Sequence, residues 1–419
     1  IVPKFMVNDD GTPGERNDVR CVSIEHKMGI HASPTCVMSY GDEGGAIGYR
    51  VGEEHRGMRA MFTMMNSARI AVGVQGVAIG DAAYQKALVY SQERVQGSEI
   101  GGDTPGAVPI IRHPDVRRML LFMKSHIEAM RALIVYNAAA IDLSRALESD
   151  AAERWREGAE LVTPVTKAWC TDVGVEVTST AVQVFGGMGY IEESGVSQHF
   201  RDMRIAPIYE GTNGIQAMDL VGRKLAMRMG GVVTDHLDRI RATVAELAEA
   251  GDEFDSMRAE LSASVETLSE VTNWIMTNGL ADPVEALSGA TPYLRIFGIV
   301  TGGWLLARQA LAARPVRPAV SPVDRPGHDD DHGGDGADGD EPLLAVEHPA
   351  AGTGPAAEVS VSEAITPRTV PGAPGQPSAT PGSARAVLTW TAPSSTGGAP
   401  IRARAAPWRP SGRSHSRPA

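Results

Sequence analysis

A carboxylate beside a glycine, Glu210-Gly211, lies in the run Ile208-Tyr209-Glu210-Gly211-Thr212-Asn213, just ahead of an amphipathic stretch that begins near Thr212. Placed between apolar neighbours and a flexible glycine, a carboxylate can serve as a general base, because loss of solvent makes it a better proton acceptor. Gly211 has no Cβ and lets the backbone approach a bound molecule. The same residues also read as a turn followed by a helix cap at Thr212. Three more runs accompany them: Gln183-Val184-Phe185-Gly186-Gly187-Met188-Gly189-Tyr190 upstream, Arg201-Asp202-Met203-Arg204 between, and Ile215-Gln216 downstream.

These residues need rigid elements behind them. From Met58, apolar residues recur at helical spacing (Met61, Met65, Ile70, Val74, Val77, Tyr84, Ala87, Leu88) through about Arg94. This predicts one long, largely buried helix in which Met58, Met61, Met64 and Met65 fill the core. A Gly-rich excursion, Gly97 to Pro109, leads to a second long helix from about Pro114, a residue suited to a first turn, to Leu147. A third spans roughly Ala151 to Phe185 and stops at Gly186-Gly187, and a fourth runs from near Thr212 to about Met229. Four long helices so connected describe a bundle. Amphipathic stretches over about 234–250, 253–277 and 283–313 add a helical appendix. Before the bundle, the alternating runs Val19 to Ile24 and Thr35 to Tyr40 suggest strands of an incomplete sheet. The expected fold is mainly α: a partial β-domain over 1–56, a four-helix bundle over 57–230, a helical extension over 231–313, and a disordered tail.

At 419 residues the chain has room for two or three domains. Its net charge of −12 argues against nucleic acid or an anionic membrane surface as the main partner. No run of eighteen apolar residues occurs, and Ile296 to Leu306 is too short to span a membrane. Cys21, Cys36 and Cys170 are far apart in sequence, which suits buried side chains in a reducing, cytoplasmic compartment. The strand-like start, Ile1 to Val7, reads as a domain entered partway. After about Arg314 the composition turns to Pro, Gly and Asp, a solvated linker over 314–370. Within it, His328 to Asp335 lacks spacing that enforces coordination geometry, so no metal site is expected. Residues 371–401, including Ala386-Val387-Leu388-Thr389-Trp390, resemble the opening strands of a fibronectin type III domain, and 402–419 follow as disordered chain.

The runs from Gln183 to Tyr190, Arg201 to Arg204 and Tyr209 to Asn213 together resemble the C-terminal half of the acyl-CoA dehydrogenases. The resemblance extends over about residues 1–313, and the appendix is similar to that of the subgroup containing bacterial long-chain and 3-methylthiopropionyl-CoA enzymes. It implies FAD-dependent α,β-dehydrogenation of an acyl-CoA thioester to a trans-2-enoyl-CoA, with electron transferring flavoprotein as oxidant and assembly as a homodimer or homotetramer. By the family match, Glu210 abstracts the α-proton while a hydride passes to flavin N5, and Gly211 lies against the substrate. Ala68 stands where one branch of the family carries its base, and it cannot serve. The match assigns FAD to Arg94, Gln96, His113, Gln183, Gly186, Gly187, Thr212, Asn213 and Gly214, with the glutamine-glycine group reaching across a subunit interface. Asn66 and Arg69 match a pair that contacts the CoA arm. Two departures stand out: Asn66 occupies a position more often acidic, and Val95-Gln96-Gly97 replaces Thr-Phe-Gly ahead of a long insertion. A second reading is an inactive fragment of such an enzyme retaining only assembly or binding surfaces. A third gives the tail a surface-interaction role.

Overall fold

The computed structural model describes residues 1–313 and three short strands in the tail. Two antiparallel hairpins open the chain: β1 (Phe5–Val7) pairs with β2 (Pro13–Arg16), and β3 (Val19–Ile24) with β4 (Cys36–Tyr40). Buried Asn17 ties this region together, its amide donating to the carbonyls of Pro3 (2.9 Å) and Ile47 (2.8 Å) while its Oδ1 accepts from the Ile47 N–H. The carboxylate of Asp202 joins it to the helices by accepting from the Ile30 N–H at 2.6 Å. Many of the apolar strand residues, among them Val7, Val22, Ile24 and Met38, remain exposed.

Three long helices build the bundle: α1 (Gly57–Glu93), α2 (Pro114–Ala146) and α3 (Ser149–Phe185). The central one is α3, buried on every side from Leu161 through Thr171. Parallel to it, α1 approaches closely along a glycine stripe: a Cβ at Gly73 would stand 2.9 Å from the Thr166 carbonyl oxygen, and one at Gly76 2.4 Å from that of Cys170. Contrary to expectation, α1 is not largely buried. It meets α3 along a face that includes Gly73, Gly76 and Gly80, buries Val72, Val77, Ala83 and Ala87, and leaves Met58, Met61 and Met64 exposed.

A short helix that periodicity does not predict, α4 (Val196–Met203), packs against α1 and α3. The expected fourth long helix is broken. Its first part, α5 (Asn213–Asp219), passes into a π-helical turn (Leu220–Lys224) and then a tight turn (Met227–Gly230) in which Arg228 and Met229 are left-handed, at φ 51° and 54°. The extra residue of the π turn and these two left-handed positions end the α-pattern.

The appendix comprises α6 (Gly231–Ala250), α7 (Asp255–Asn278), α8 (Pro283–Ser288) and α9 (Ala290–Ala313). Gly298 and Gly302 seat α9 on Trp169 of α3, since a Cβ at either would fall 2.3 or 2.8 Å from that ring. By length and composition α9 is the one described helix that could cross a membrane; its Tyr293, Phe297 and Trp304 are buried in the core. Of the cysteines only Cys170 is buried; Cys21 is exposed and Cys36 half-buried, the two side by side across the β3–β4 hairpin. In the tail, β5 (Ser378–Thr380) and β6 (Ala386–Val387) flank β7 (Arg402–Ala405). The predicted linker, the His328 to Asp335 run and most of the fibronectin-like segment lie outside the described residues.

Candidate functional site

After α4 the chain folds back on itself, the N–H groups of Ile208 and Tyr209 both donating to the Ile205 carbonyl at 2.8 and 3.1 Å. The Asn213 N–H closes the loop on the Pro207 carbonyl at 3.0 Å. Between these bonds stand two consecutive left-handed residues, Glu210 (φ 54°) and Gly211 (φ 85°). The conformation costs Glu210 about 1 kcal/mol, whereas glycine adopts it freely. A Cβ at position 211 would also fall 2.7 Å from Gln216 Nε2. Thr212 caps α5, its Oγ1 accepting from the Ile215 N–H at 3.4 Å, and the Tyr209 hydroxyl anchors the turn to Gln75 of α1. Glu210 is half-buried, and among the described residues its backbone N–H has no acceptor.

Beneath this turn lies a buried polar network. Lys167, enclosed within α3, donates to Asn213 Oδ1 at 2.7 Å. The two N–H bonds of the Asn213 amide are shared among Asp172 (2.7 Å), Thr171 (2.9 Å) and the Ala168 carbonyl (3.1 Å). From α1, buried Arg69 reaches Asp219 at 3.8 Å. Burial is the main force lowering Lys167 from the ordinary lysine range to about 8; Arg69 adds to it, while Asp172 and Glu210 oppose it. Burial likewise raises Asp172, against the Asn213 hydrogen bond and the Lys167 charge. Two buried polar atoms, Arg69 Nε and Gln216 Oε1, have no partner among the described residues. Both side chains flank Gly211: the Gln216 amide donates to its carbonyl at 3.3 Å, and Arg69 Nη2 lies 3.9 Å from where a Cβ would be. Buried polar atoms are nearly always satisfied, so a pair left open around bare backbone suits a polar ligand.

The remaining predicted residues gather elsewhere, at the far end of α1, 25 residues beyond Arg69 or about 37 Å along the helix. There Arg94 ends α1, its guanidinium reaching Gln96 Oε1 at 3.4 Å, and the His113 ring is hydrogen-bonded to the Gln96 carbonyl at 2.7 Å. The end of α3 lies beside them, because Tyr90 stacks on Phe185 with ring centroids 4.1 Å apart. Gly186 (φ 58°) terminates α3, and Gln183 borders an open groove of about 670 Å³ that also meets Arg118, Phe122 and Phe200. Arg94, Gln96, Gln183, Gly186 and Gly187 are exposed, and His113 is half-buried. At the Glu210 end, Asn66 lies exposed one turn before Arg69, and Gly214 is exposed on α5, whereas Asn213 is turned inward.

Sequence reasoning does not reach Lys167, Thr171, Asp172, Asp219 or Gln75. The available signal is a lysine and an aspartate five residues apart inside a stretch that is otherwise buried all round, where a charge must have a partner.

Residues 55–225 match the family model described as acyl-CoA dehydrogenase, C-terminal domain, and residues 236–326 one described as acetyl-CoA dehydrogenase C-terminal like. The chain is 44% identical over 313 residues to the 3-methylmercaptopropionyl-CoA dehydrogenase of Ruegeria pomeroyi, covering 75% of this chain and 53% of that protein. It is 32% identical to a broad-specificity linear acyl-CoA dehydrogenase of Mycobacterium tuberculosis, over 75% of this chain and 53% of the relative. Thus the chain spans about half the length of these relatives. In fold it is similar to the Caenorhabditis elegans protein ACDH-11, solved in complex with C11-CoA, with a TM-score of 0.62 and 21% identity over 74% of this chain and 53% of that one. An acyl-CoA dehydrogenase from Bacillus anthracis, solved with FAD, gives a TM-score of 0.53 at 20% identity over 71% and 51%. The comparisons lend no support to the fibronectin-like reading of residues 371–401. The chain carries the C-terminal domains of the acyl-CoA dehydrogenase family.

Proposed function

We propose that the Glu210 turn is the proton-abstracting part of an FAD-dependent acyl-CoA dehydrogenase site, acting on an acyl-CoA thioester to give a trans-2-enoyl-CoA. The observation that carries this reading is the turn itself, a half-buried carboxylate on a left-handed residue beside Gly211. Glu210 accepts the α-proton of the substrate. Its backbone N–H, which has no acceptor among the described residues, donates to the thioester oxygen as negative charge develops there. Gly211 keeps that approach clear, and Ala68 on α1 offers no competing base. Arg69 and Asn66 face the CoA arm, the open Arg69 Nε supplying a charged donor.

The residues also fit FAD. Arg94 presents an exposed guanidinium suited to a diphosphate, with Gln96 and His113 beside it. At Gly186 and Gly187 nothing stands within 4 Å of where a Cβ would be, leaving open surface for the adenosine portion. Thr212 and Gly214 are exposed near the base, and Asn213 supports them from below with its amide already satisfied. Bound FAD supplies the acceptor for the β-hydride. Because Arg69 and Arg94 are about 37 Å apart along α1, one flavin cannot meet both ends within a single chain. The reading therefore calls for a second copy whose Arg94 end serves the first copy's Glu210 end, in a homodimer or homotetramer, with electron transferring flavoprotein as the oxidant.

The test is to purify the chain, look for flavin absorbance, and add an acyl-CoA without oxygen. A yellow protein that bleaches supports the reading. A protein that takes up no flavin even from excess FAD contradicts it for this chain and favours retained assembly surfaces.

A further inference from the structure

A lysine enclosed in the middle of a helix is costly unless something uses its charge. Lys167 has no exposed surface, and its ammonium meets Asn213 Oδ1 at 2.7 Å. Asn213 is three residues beyond Glu210 and opens α5. The orientation of its amide follows from its partners: an ammonium can only donate, so it faces the oxygen, and the nitrogen is left for the Asp172 carboxylate at 2.7 Å. The amide is thereby polarised from both sides, with Thr171 and the Ala168 carbonyl completing its contacts. Its backbone N–H also closes the loop onto Pro207. The cation of α3 is thus linked through one side chain to the end of the left-handed turn.

We propose that Lys167 is a positioning residue for Glu210: the Lys167–Asn213–Asp172 chain clamps the Glu210–Gly211 turn onto α3 and holds the Lys167 ammonium within electrostatic reach of the Glu210 carboxylate. The clamp explains how two adjacent left-handed residues persist where one of them is not glycine, since the conformation requires support from its surroundings. Electrostatics agree with the geometry. Lys167 senses Asp172 from its own helix, Arg69 from α1 and Glu210 from the turn, with Glu176 and Arg295 acting on Asp172 from behind. The inference rests on Glu210 being the base only for its catalytic meaning; the clamp itself is a property of this chain without ligand.

Two measurements on the whole chain test it without turnover. Selective ¹³C labelling of lysine, with Lys167 assigned by its absence in Lys167→Met, follows its titration by NMR. The midpoint near 8 falls in Glu210→Gln, because a neighbouring anion is removed. An unchanged midpoint would show that the two charges are not coupled and overturn the proposal. Hydrogen exchange of residues 209–214 reads the clamp: at least a tenfold acceleration in Lys167→Met, largely restored in Lys167→Arg, is expected. Equal exchange in all three chains contradicts it. Should Lys167→Met not fold, the Glu210→Gln titration still decides, with Lys167→Arg supplying the assignment. Flavin absorbance and bleaching of the unmodified chain are recorded separately, so loss of the catalytic reading is distinguishable from loss of the clamp.

Discussion

The two ends of the bundle that hold the predicted site residues are built in opposite ways. Around Glu210 the cations Arg69 and Lys167 are buried, and each is engaged by an acid or an amide of its own chain. Around Arg94 the groups are mostly exposed, and among the described residues the guanidinium has only a long contact with Gln96. A buried charge must be matched at folding, so both cations of the first end are engaged within the chain, with Arg69 Nε and Gln216 Oε1 left open, while an exposed charge can await a partner. On the proposed reading, the contrast is that between a preorganised chemical centre and a docking surface for a cofactor held by two copies.

The difference is broken most severely by Asn213→Ala. With the bridging amide gone, buried Lys167 and half-buried Asp172 lose the group that joins them, and urea unfolding should show a loss of about 3 kcal/mol. Arg94→Ala should change stability by no more than about 0.5 kcal/mol; similar losses at both ends would erase the contrast. Next comes pH. Lys167 titrates near 8 in the folded chain but near 10.5 when unfolded, so the unfolded chain binds more protons between these values. Stability from this group should therefore rise as pH increases through that window, by on the order of 3 kcal/mol, and the rise should be missing in Lys167→Met. Gly211→Ala combines a left-handed position with a 2.7 Å approach to Gln216 and should cost about 1–2 kcal/mol, read as a lowered Tm. The smallest effect belongs to the exposed end. There Arg94→Ala should weaken FAD retention roughly tenfold with the fold intact, and the gap should narrow at high salt because exposed charges are screened.

Which features could be read in advance follows from the range of the forces involved. The long helices declare themselves by local periodicity, and Pro114 and Gly186 mark their ends through local backbone chemistry. Glu210 and Gly211 stand out because the turn is made by adjacent residues. The exposed methionines of α1 were misread, since periodicity shows that a face is apolar without showing what covers it. The broken fourth helix was hidden too: Arg228 and Met229 are not residues whose type announces a left-handed turn. Lys167 was least visible of all, because its partner Asn213 is 46 positions away and only folding brings them together.

The central claim, that Glu210 removes the α-proton, is tested most directly by anaerobic flavin bleaching with an acyl-CoA in the unmodified chain and in Glu210→Gln, both loaded with FAD. The account predicts bleaching in the first and a persistently yellow second protein, slower by at least about a thousandfold. Bleaching of Glu210→Gln at the rate of the unmodified chain would contradict it.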